Sequence, residues 1–450
     1  RLSGDDQPGG AYLMTLHTKT LYSWGRRKTS GSKVFPLSWR GDLLPSGAGK
    51  LLPYGMGRSY GDSCLLDDGC QIETVGLDHL IAFDAGSGVI RCEAGCTIAS
   101  LLEFAVPRGW FVPVSPGTKF VTLGGCLAND VHGKNHHTAG TFGCFVTRFG
   151  LRRSDGLEME CSPGENSGLF HATIGGLGLT GLILWVELKL KRIFGPFIRQ
   201  RMQKLKGLDS FFEVARREDN NVEYSVAWLD AGHAGDPRGL FIAGNHCSEE
   251  MKPSPYSADT RLSLPVVLPD FAMGTWSINL MNTTFYQANA HRSADRTVHI
   301  DPFFYPLDAV GHWNRAYGKK GLAQYQFVVP MEYGPEALSE TLGKVQASRQ
   351  TSFLTVVKLF GSVPSPGLLS FPRPGVTVCF DFPFLGERTL KLLDDLDRTV
   401  FSCGGALYPA KDFRMSRESF ERSFPRHQEF KQYIDPAFSS NFAQRTGLTT

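Results

Sequence analysis

The sequence predicts an α+β protein of two domains. Three observations carry this: a length of 450 residues, a glycine-rich first part built of short strands and tight turns, and a later part in which helices and alternating strands are interleaved. The chain holds 50 glycines, crowded before position 185, which points to backbone packed closely against something large.

Each element follows from a local pattern. Lys50 to Arg192 carries the glycine-rich loops, and within it Val89 to Ala94 alternates with the two-residue period of a strand. Thr97 to Val106 places Ile98, Leu101, Leu102 and Ala105 on one helical face, and Pro107 ends it. Leu182 to Lys191 is again a strand. After Arg192, Asp209 caps a helix carrying Phe211, Phe212 and Ala215, and Tyr224 to Trp228 reads as a strand. Gln324 to Val329, Phe353 to Phe360 and Val376 to Phe382 are strands. Pro335 to Ala347 is a helix opened by proline, and Thr389 to Val400 a helix with Leu390, Leu393, Leu396 and Val400. Such a mixture suggests helices covering an antiparallel sheet. Cys247 to Asn282, with Lys252-Pro253-Ser254-Pro255-Tyr256-Ser257, reads as a long mobile excursion of the kind that acts as a lid. From Ser416 the tail starts as a helix, offering Phe420, Phe424 and Ile434 for packing and limited by Pro436.

Composition removes several classes of function. With 42% hydrophobic and 20% charged residues, the chain has material for a sizeable core and is not globally disordered. A formal charge of +3 is small for this length, and Arg26-Arg27-Lys28 is a solvated run, not a nucleic-acid stripe. No stretch reaches the roughly 18 apolar residues of a spanning helix. Arg1-Leu2-Ser3-Gly4-Asp5-Asp6 has neither an initiator Met nor a signal-peptide core and reads as a trimmed or tagged terminus. The 10 cysteines are scattered, and only Cys92 and Cys96 lie close, so they read as reduced, mostly buried side chains.

Two loops read as anion cradles. Gly55 to Ser63 strings small residues together so that successive backbone N–H groups converge, and Pro116-Gly117-Thr118, Thr122 to Gly125 and Asn129 to Lys134 repeat the pattern. Gly176-Leu177-Gly178-Leu179-Thr180-Gly181 matches the dinucleotide string, but its mechanism needs a strand before and a helix after, and here a strand follows. These glycines therefore serve close approach to a different ligand. His132, His136 and His137 lack a nearby carboxylate-rich segment to complete a metal shell, so no metal is expected. His136 and His137 read equally well as loop histidines bonded to backbone, whereas the place of His132 inside the second cradle favours ligand contact.

At these residues the sequence resembles the vanillyl-alcohol-oxidase type of FAD-binding (PCMH-type) family, and within it the branch of decaprenylphosphoryl-ribose oxidases. The resemblance runs through Ser23-Trp24-Gly25-Arg26, the Gly55 to Ser63 loop and His132-Gly133-Lys134-Asn135-His136-His137. It continues through Tyr224 to Trp228, Gln324 to Phe327, Lys358-Leu359-Phe360-Gly361 and Tyr408-Pro409-Ala410-Lys411-Asp412. Little matches from Gly232 to Asn282, and Phe304 stands where the family usually has Tyr.

The resemblance implies an FAD domain over 1–196, a substrate domain over 197–405 whose antiparallel sheet is covered by helices, and a segment 406–450 returning to the FAD domain. FAD contacts would come from Pro53, Tyr54, Gly55, Met56, Gly57, Arg58, Ser59, Tyr60, Gly61, Asp62 and Ser63. Gly117, Thr122, Leu123, Gly124, Gly125, Asn129, Asp130, Val131, His132, Ile183 and Tyr408 would complete them. Some branches link the flavin to a His at the position of Arg58; arginine cannot form that bond, so FAD is expected to be noncovalent. Gly133, Lys134, Trp228, Phe304, Gln324, Gln326, Lys358, Cys379 and Lys411 would line the substrate pocket.

Lys411, His132 and Tyr60 are the catalytic candidates. Lys411 would take the hydroxyl proton if its pKa is lowered, or steady the alkoxide if charged; alone, it would be an ordinary solvated lysine. Cys379, mid-strand, is either a structural thiol or, as the family places it, part of the cavity wall without a chemical role. The implied reaction oxidises the 2′-hydroxyl of a polyprenylphosphoryl ribose to a ketone in bacterial cell-wall synthesis, with a separate NAD(P)H-dependent reductase completing epimerisation. A lipid-linked substrate implies peripheral contact with the inner membrane, on a side left open. The rivals are an aldonolactone or alditol oxidase using oxygen, and a flavin-binding protein without turnover.

Overall fold

A computed structural model describes residues 16–218, 221–233, 235–248, 256–260, 262–290 and 295–450. The N-terminal hexapeptide and Lys252 to Pro255 of the expected excursion lie outside the described residues.

Two small sheets occupy the first part of the chain. Lys33–Pro36, Cys70–Glu73 and Leu51–Tyr54 pair in parallel, with His17–Thr18 on the edge. An antiparallel five-stranded sheet runs Leu80–Asp84, Val89–Glu93, Leu182–Lys189, Val146–Arg152, Glu158–Cys161. The expected helix is present as Ile98–Ala105, closed at its start by a reciprocal Thr97–Ser100 capping box. Lys191, expected at the end of the long strand, instead pairs with Phe111 in a separate two-stranded ladder.

The later chain forms an eight-stranded antiparallel sheet in the order Arg296–His299, Phe197–Lys206, Arg238–His246, Tyr224–Leu229, Thr355–Phe360, Gly375–Pro383, Leu322–Val329, Ala406–Leu407. Alternation sorts its side chains. Ala227, Phe241, Val357, Val378, Phe380 and Phe327 face one way, into a core shared with Phe211, Ala337, Leu338, Leu392 and Leu396 from the helices Gly207–Glu218, Gly334–Ala347 and Glu387–Ser402. This is the expected arrangement of helices on an antiparallel sheet.

Two expectations are corrected. The excursion from Cys247 to Asn282 contains the start of a 16-residue helix, Thr275–Ala290, whose run of Asn and Thr hides the usual apolar stripe in the sequence. The tail is not one helix but three short ones, Arg417–Ser423, His427–Lys431 and Asn441–Arg445, interrupted near Pro425 and Pro436. Phe420 and Phe424 are buried as expected, and Phe438 packs beside Leu51 and Leu182, tying the tail to the first sheet. All ten cysteines are free. Among the described residues no helix is long and apolar enough to cross a membrane.

Candidate active site

A cavity of about 750 Å³ lies between the glycine-rich loops and the open face of the eight-stranded sheet. Its sheet wall follows from the same alternation that builds the core. Gln200 and Met202, Ile242, Val226 and Trp228, Val356 and Lys358, Thr377 and Cys379, Gln324 and Gln326 come from six neighbouring strands and all line it. Register places Gln326 and Val356 on either side of Cys379.

The opposite wall comes from the loops. Pro53, Gly55 to Tyr60, Ser63, Gly117, Thr122, Gly124, Gly125, Asn129 and Val131 to Lys134 line the cavity, joined by Ile183, Phe304, Tyr408 and Lys411. Gly55 has no room for a side chain, since a Cβ there would sit 2.5 Å from Thr122 Oγ1. Leu177, Gly178 and Gly181 reach the same wall, with helix Ser167–Thr173 before them and strand Leu182–Lys189 after, the reverse of a dinucleotide fingerprint.

Five expected residues are not on the wall. Tyr54 donates its hydroxyl to Tyr22 O at 2.7 Å, Gly61 packs on the Asp412 carbonyl, and Asp62 pairs with Arg445 at 2.6 Å. Leu123 is in the core. Asp130 turns inward, accepting from Ser365, Ser370 and, at 2.9 Å, the Gly143 N–H. Arg58 does reach the wall, its guanidinium 3.9 Å over the Trp24 ring and its Nε donating to Phe120 O at 2.8 Å.

Three half-buried lysines line the cavity, Lys358 from the sheet and Lys134 and Lys411 from the opposite wall. Burial lowers the Lys134 ammonium to about 7, helped by Lys358, and Lys358 itself to about 8, helped by Lys411 and opposed by Cys379. Lys134 Nζ donates to Phe304 O at 3.1 Å. Lys411 Nζ lies 4.0 Å from the centre of the Tyr60 ring; burial lowers its pKa against the opposing pull of Cys379 and Asp381. Burial raises Asp381 to about 6 although Gln324 and Lys411 favour its charge, and pushes the Tyr60 phenol and the Cys379 thiol upward. His132 is held neutral by burial and by the positive charge of Lys358; its Nε2 meets Gln326 Nε2 at 3.0 Å, which makes Nε2 the acceptor. His136 instead packs against Phe360, and His137 Nε2 meets Val222 O at 3.0 Å, so neither is brought to the cavity. Among the described residues no three His, Cys, Asp or Glu side chains are grouped to hold a metal.

Asp381 was not singled out from the sequence. The signal was available: it stands two residues beyond Cys379 in one strand, and so on the same face as Thr377 and Cys379.

The wall fits the FAD expected there. Asn129 Oδ1, Ser63 Oγ and His132 Nδ1 are buried without a hydrogen-bonding partner, although their residues face the cavity, and buried polar atoms left in that state suit a polar ligand.

Comparison with known proteins bears on the same residues. Residues 48–162 match the family described as FAD binding domain, which spans both cradles and stops before Ile183, Tyr408 and Lys411. The chain is 34% identical to decaprenylphosphoryl-beta-D-ribose oxidase of Mycolicibacterium smegmatis over 96% of its own length and 98% of the relative's. It is 31% identical to an uncharacterized protein in the mprA 5′ region of Streptomyces coelicolor, over 78% of this chain and all of that one. A human Delta(24)-sterol reductase is 26% identical over 35% of this chain and 31% of its own. FAD is the cofactor, and the chain is an FAD-dependent oxidoreductase that belongs to the decaprenylphosphoryl-β-D-ribose oxidase family.

Proposed function

We propose that the protein oxidises the 2′-hydroxyl of a polyprenylphosphoryl-β-D-ribose to the 2′-ketone. One observation carries the reading: three lysines face one cavity, Lys358 from the sheet and Lys134 and Lys411 from the loop wall that would hold FAD, and the sheet adds an apolar wall of Met202, Val226 and Ile242. The cations suit an anionic sugar phosphate and the apolar wall a prenyl chain. Bound FAD supplies the acceptor for the hydride leaving C2′.

The chain's own residues then position and deprotonate. Lys411 Nζ takes the hydroxyl proton if neutral, or holds the alkoxide if charged. Gln324 offers its unpartnered Oε1 as an acceptor and His132 its unpartnered Nδ1, while Gln326 Nε2 holds His132 in place at 3.0 Å. In this reading residues 1–196 hold FAD noncovalently, 197–405 hold the substrate, and 406–450 return Lys411 to the cleft. Arg58, committed to Phe120 and Trp24, leaves no linking side chain, so acid precipitation is expected to leave FAD in the supernatant. A separate NAD(P)H-dependent reductase would complete epimerisation, and the enzyme would work peripherally at a bacterial inner membrane.

The test is a prenylphosphoryl ribose added under nitrogen. Bleaching of the flavin absorbance is expected; an unchanged spectrum with saturating ligand would leave a binding protein. Bleaching instead by aldonolactones or alditols, with stoichiometric peroxide in air, would move the assignment to that class of oxidase.

A further inference from the structure

We infer that helix Thr275–Ala290, with the turn before it, is the face by which this protein lies on an anionic lipid bilayer and admits its prenyl substrate; this rests on the lipid-linked substrate proposed above. The helix holds 16 residues with no Asp, Glu, Lys or Arg among them. Its inner side is anchored: Ile278 is fully buried with Met273, Tyr317 and Leu322, and Asn282 Nδ2 donates to Asp230 Oδ1 and to Ser352 O, each at 3.1 Å.

The outer side exposes several large apolar side chains among small polar ones. Trp276 is 78% exposed and Leu280, one turn on, 51%; Met281 and Phe285 form the adjacent row at 39% and 40%, and Phe271 just before the helix is 81% exposed. Isolated exposed apolar residues are ordinary, but five on one helix and its leading turn form a patch of the kind that marks an interaction surface. Trp in particular suits the boundary between headgroups and acyl chains.

Two features select a bilayer over a second copy. Lys319, Lys320 and Arg349 are exposed beside the patch, and none forms an ion pair with a described residue. Lys320 N–H donates to Asp270 Oδ1 at 3.3 Å next to Phe271, and Thr275 Oγ1 donates to Arg349 O at 3.4 Å, which places the Lys320 and Arg349 backbones at the start of the helix. Three basic groups against the single carboxylate of Asp270 leave the frame of this aromatic patch net positive, which complements anionic headgroups. The patch also runs into the cavity: Phe285 and Asn289 belong to its wall, and the Phe285 ring meets that of Trp228 at 4.9 Å. A prenyl chain can thus pass from the bilayer to the apolar wall without crossing water, whereas a second copy seated here would close the mouth.

The test is co-sedimentation of the FAD-loaded protein with phosphatidylcholine vesicles containing one quarter phosphatidylglycerol, without sugar substrate. Wild type is expected to sediment, less so at high salt. The triple variant Trp276→Ser/Leu280→Gln/Met281→Gln is expected to lose at least tenfold in partitioning while keeping its flavin spectrum and its reduction by a short-chain substrate in buffer. Trp276→Ser alone serves if the triple variant folds poorly, and a severalfold loss is then expected. Wild type remaining in the supernatant, or variants sedimenting equally well, overturns the inference. So does a wild-type dimer in analytical ultracentrifugation that the triple variant abolishes. Vesicle binding without flavin bleaching by the short-chain substrate would count against the substrate reading alone.

Discussion

At the scale of single residues, the proposed chemistry rests on Lys411. Its ammonium lies over the Tyr60 ring, Cys379 and Asp381 favour its charge, and burial opposes it. Lys411→Met keeps the apolar stem and removes the proposed proton carrier. Anaerobic flavin reduction is expected to slow by about 10²–10⁴-fold, the range for a lost acid–base group, while the protein stays yellow. Substrate affinity, titrated through the flavin spectrum, separates this from misplaced substrate; near-normal reduction would move the role to His132 or Tyr60. The pH profile then distinguishes the two modes. A neutral Lys411 acting as base gives a rate that rises with pH through its depressed pKa, and a charged Lys411 steadying an alkoxide gives one that falls. The lysine was legible in the sequence through the segment Tyr408 to Asp412. Its pairing with Asp381 was not, because that carboxylate comes from strand Gly375–Pro383, some thirty residues earlier in the chain.

At the scale of elements, strand period governs both stability and site. Six strands of the large sheet give alternate residues to the helix-covered core and to the cavity, so Val378 is in the core while Cys379 is on the cavity wall. The two faces can therefore be perturbed separately. Leu396, fully buried in helix Glu387–Ser402, belongs to the core face. Leu396→Ala is expected to cost about 2–5 kcal/mol, read as a lower urea midpoint, with FAD content and reduction rate at 25 °C unchanged. A loss of flavin in proportion to the loss of stability would show that the faces are not independent. The strands called from the sequence share β-branched and aromatic residues. Strand Phe197–Lys206 has Ile198, Gln200, Met202 and Leu205 as its buried positions, and Gln with the flanking Arg and Lys dilutes its apolar signal in the sequence.

At the scale of the whole molecule, enclosing several cations in one cavity makes stability depend on pH. Lys134 and Lys358 fall to about 7 and about 8 from 10.5 in the open chain. Their folded pKa lies below the unfolded one, so between those values and 10.5 the unfolded chain binds more protons and stability rises with pH. Below about 7 both states hold the proton, and the cost of burying charge stays constant. The stability of wild type relative to Lys134→Met or Lys358→Met is thus expected to climb between pH 7 and 10, measured by urea unfolding without substrate. A flat difference would mean that both ammonium groups are solvated in the folded protein. By itself the sequence determined the α+β class, the strands and helices whose period is local, and the two glycine-rich cradles, because each depends on neighbours a few residues apart. Only the tertiary structure decided that Asp130 turns inward, that Asp381 joins Lys411, and that an uncharged helix borders the cavity mouth. Those outcomes depend on which distant segments meet, and no local pattern carries that information.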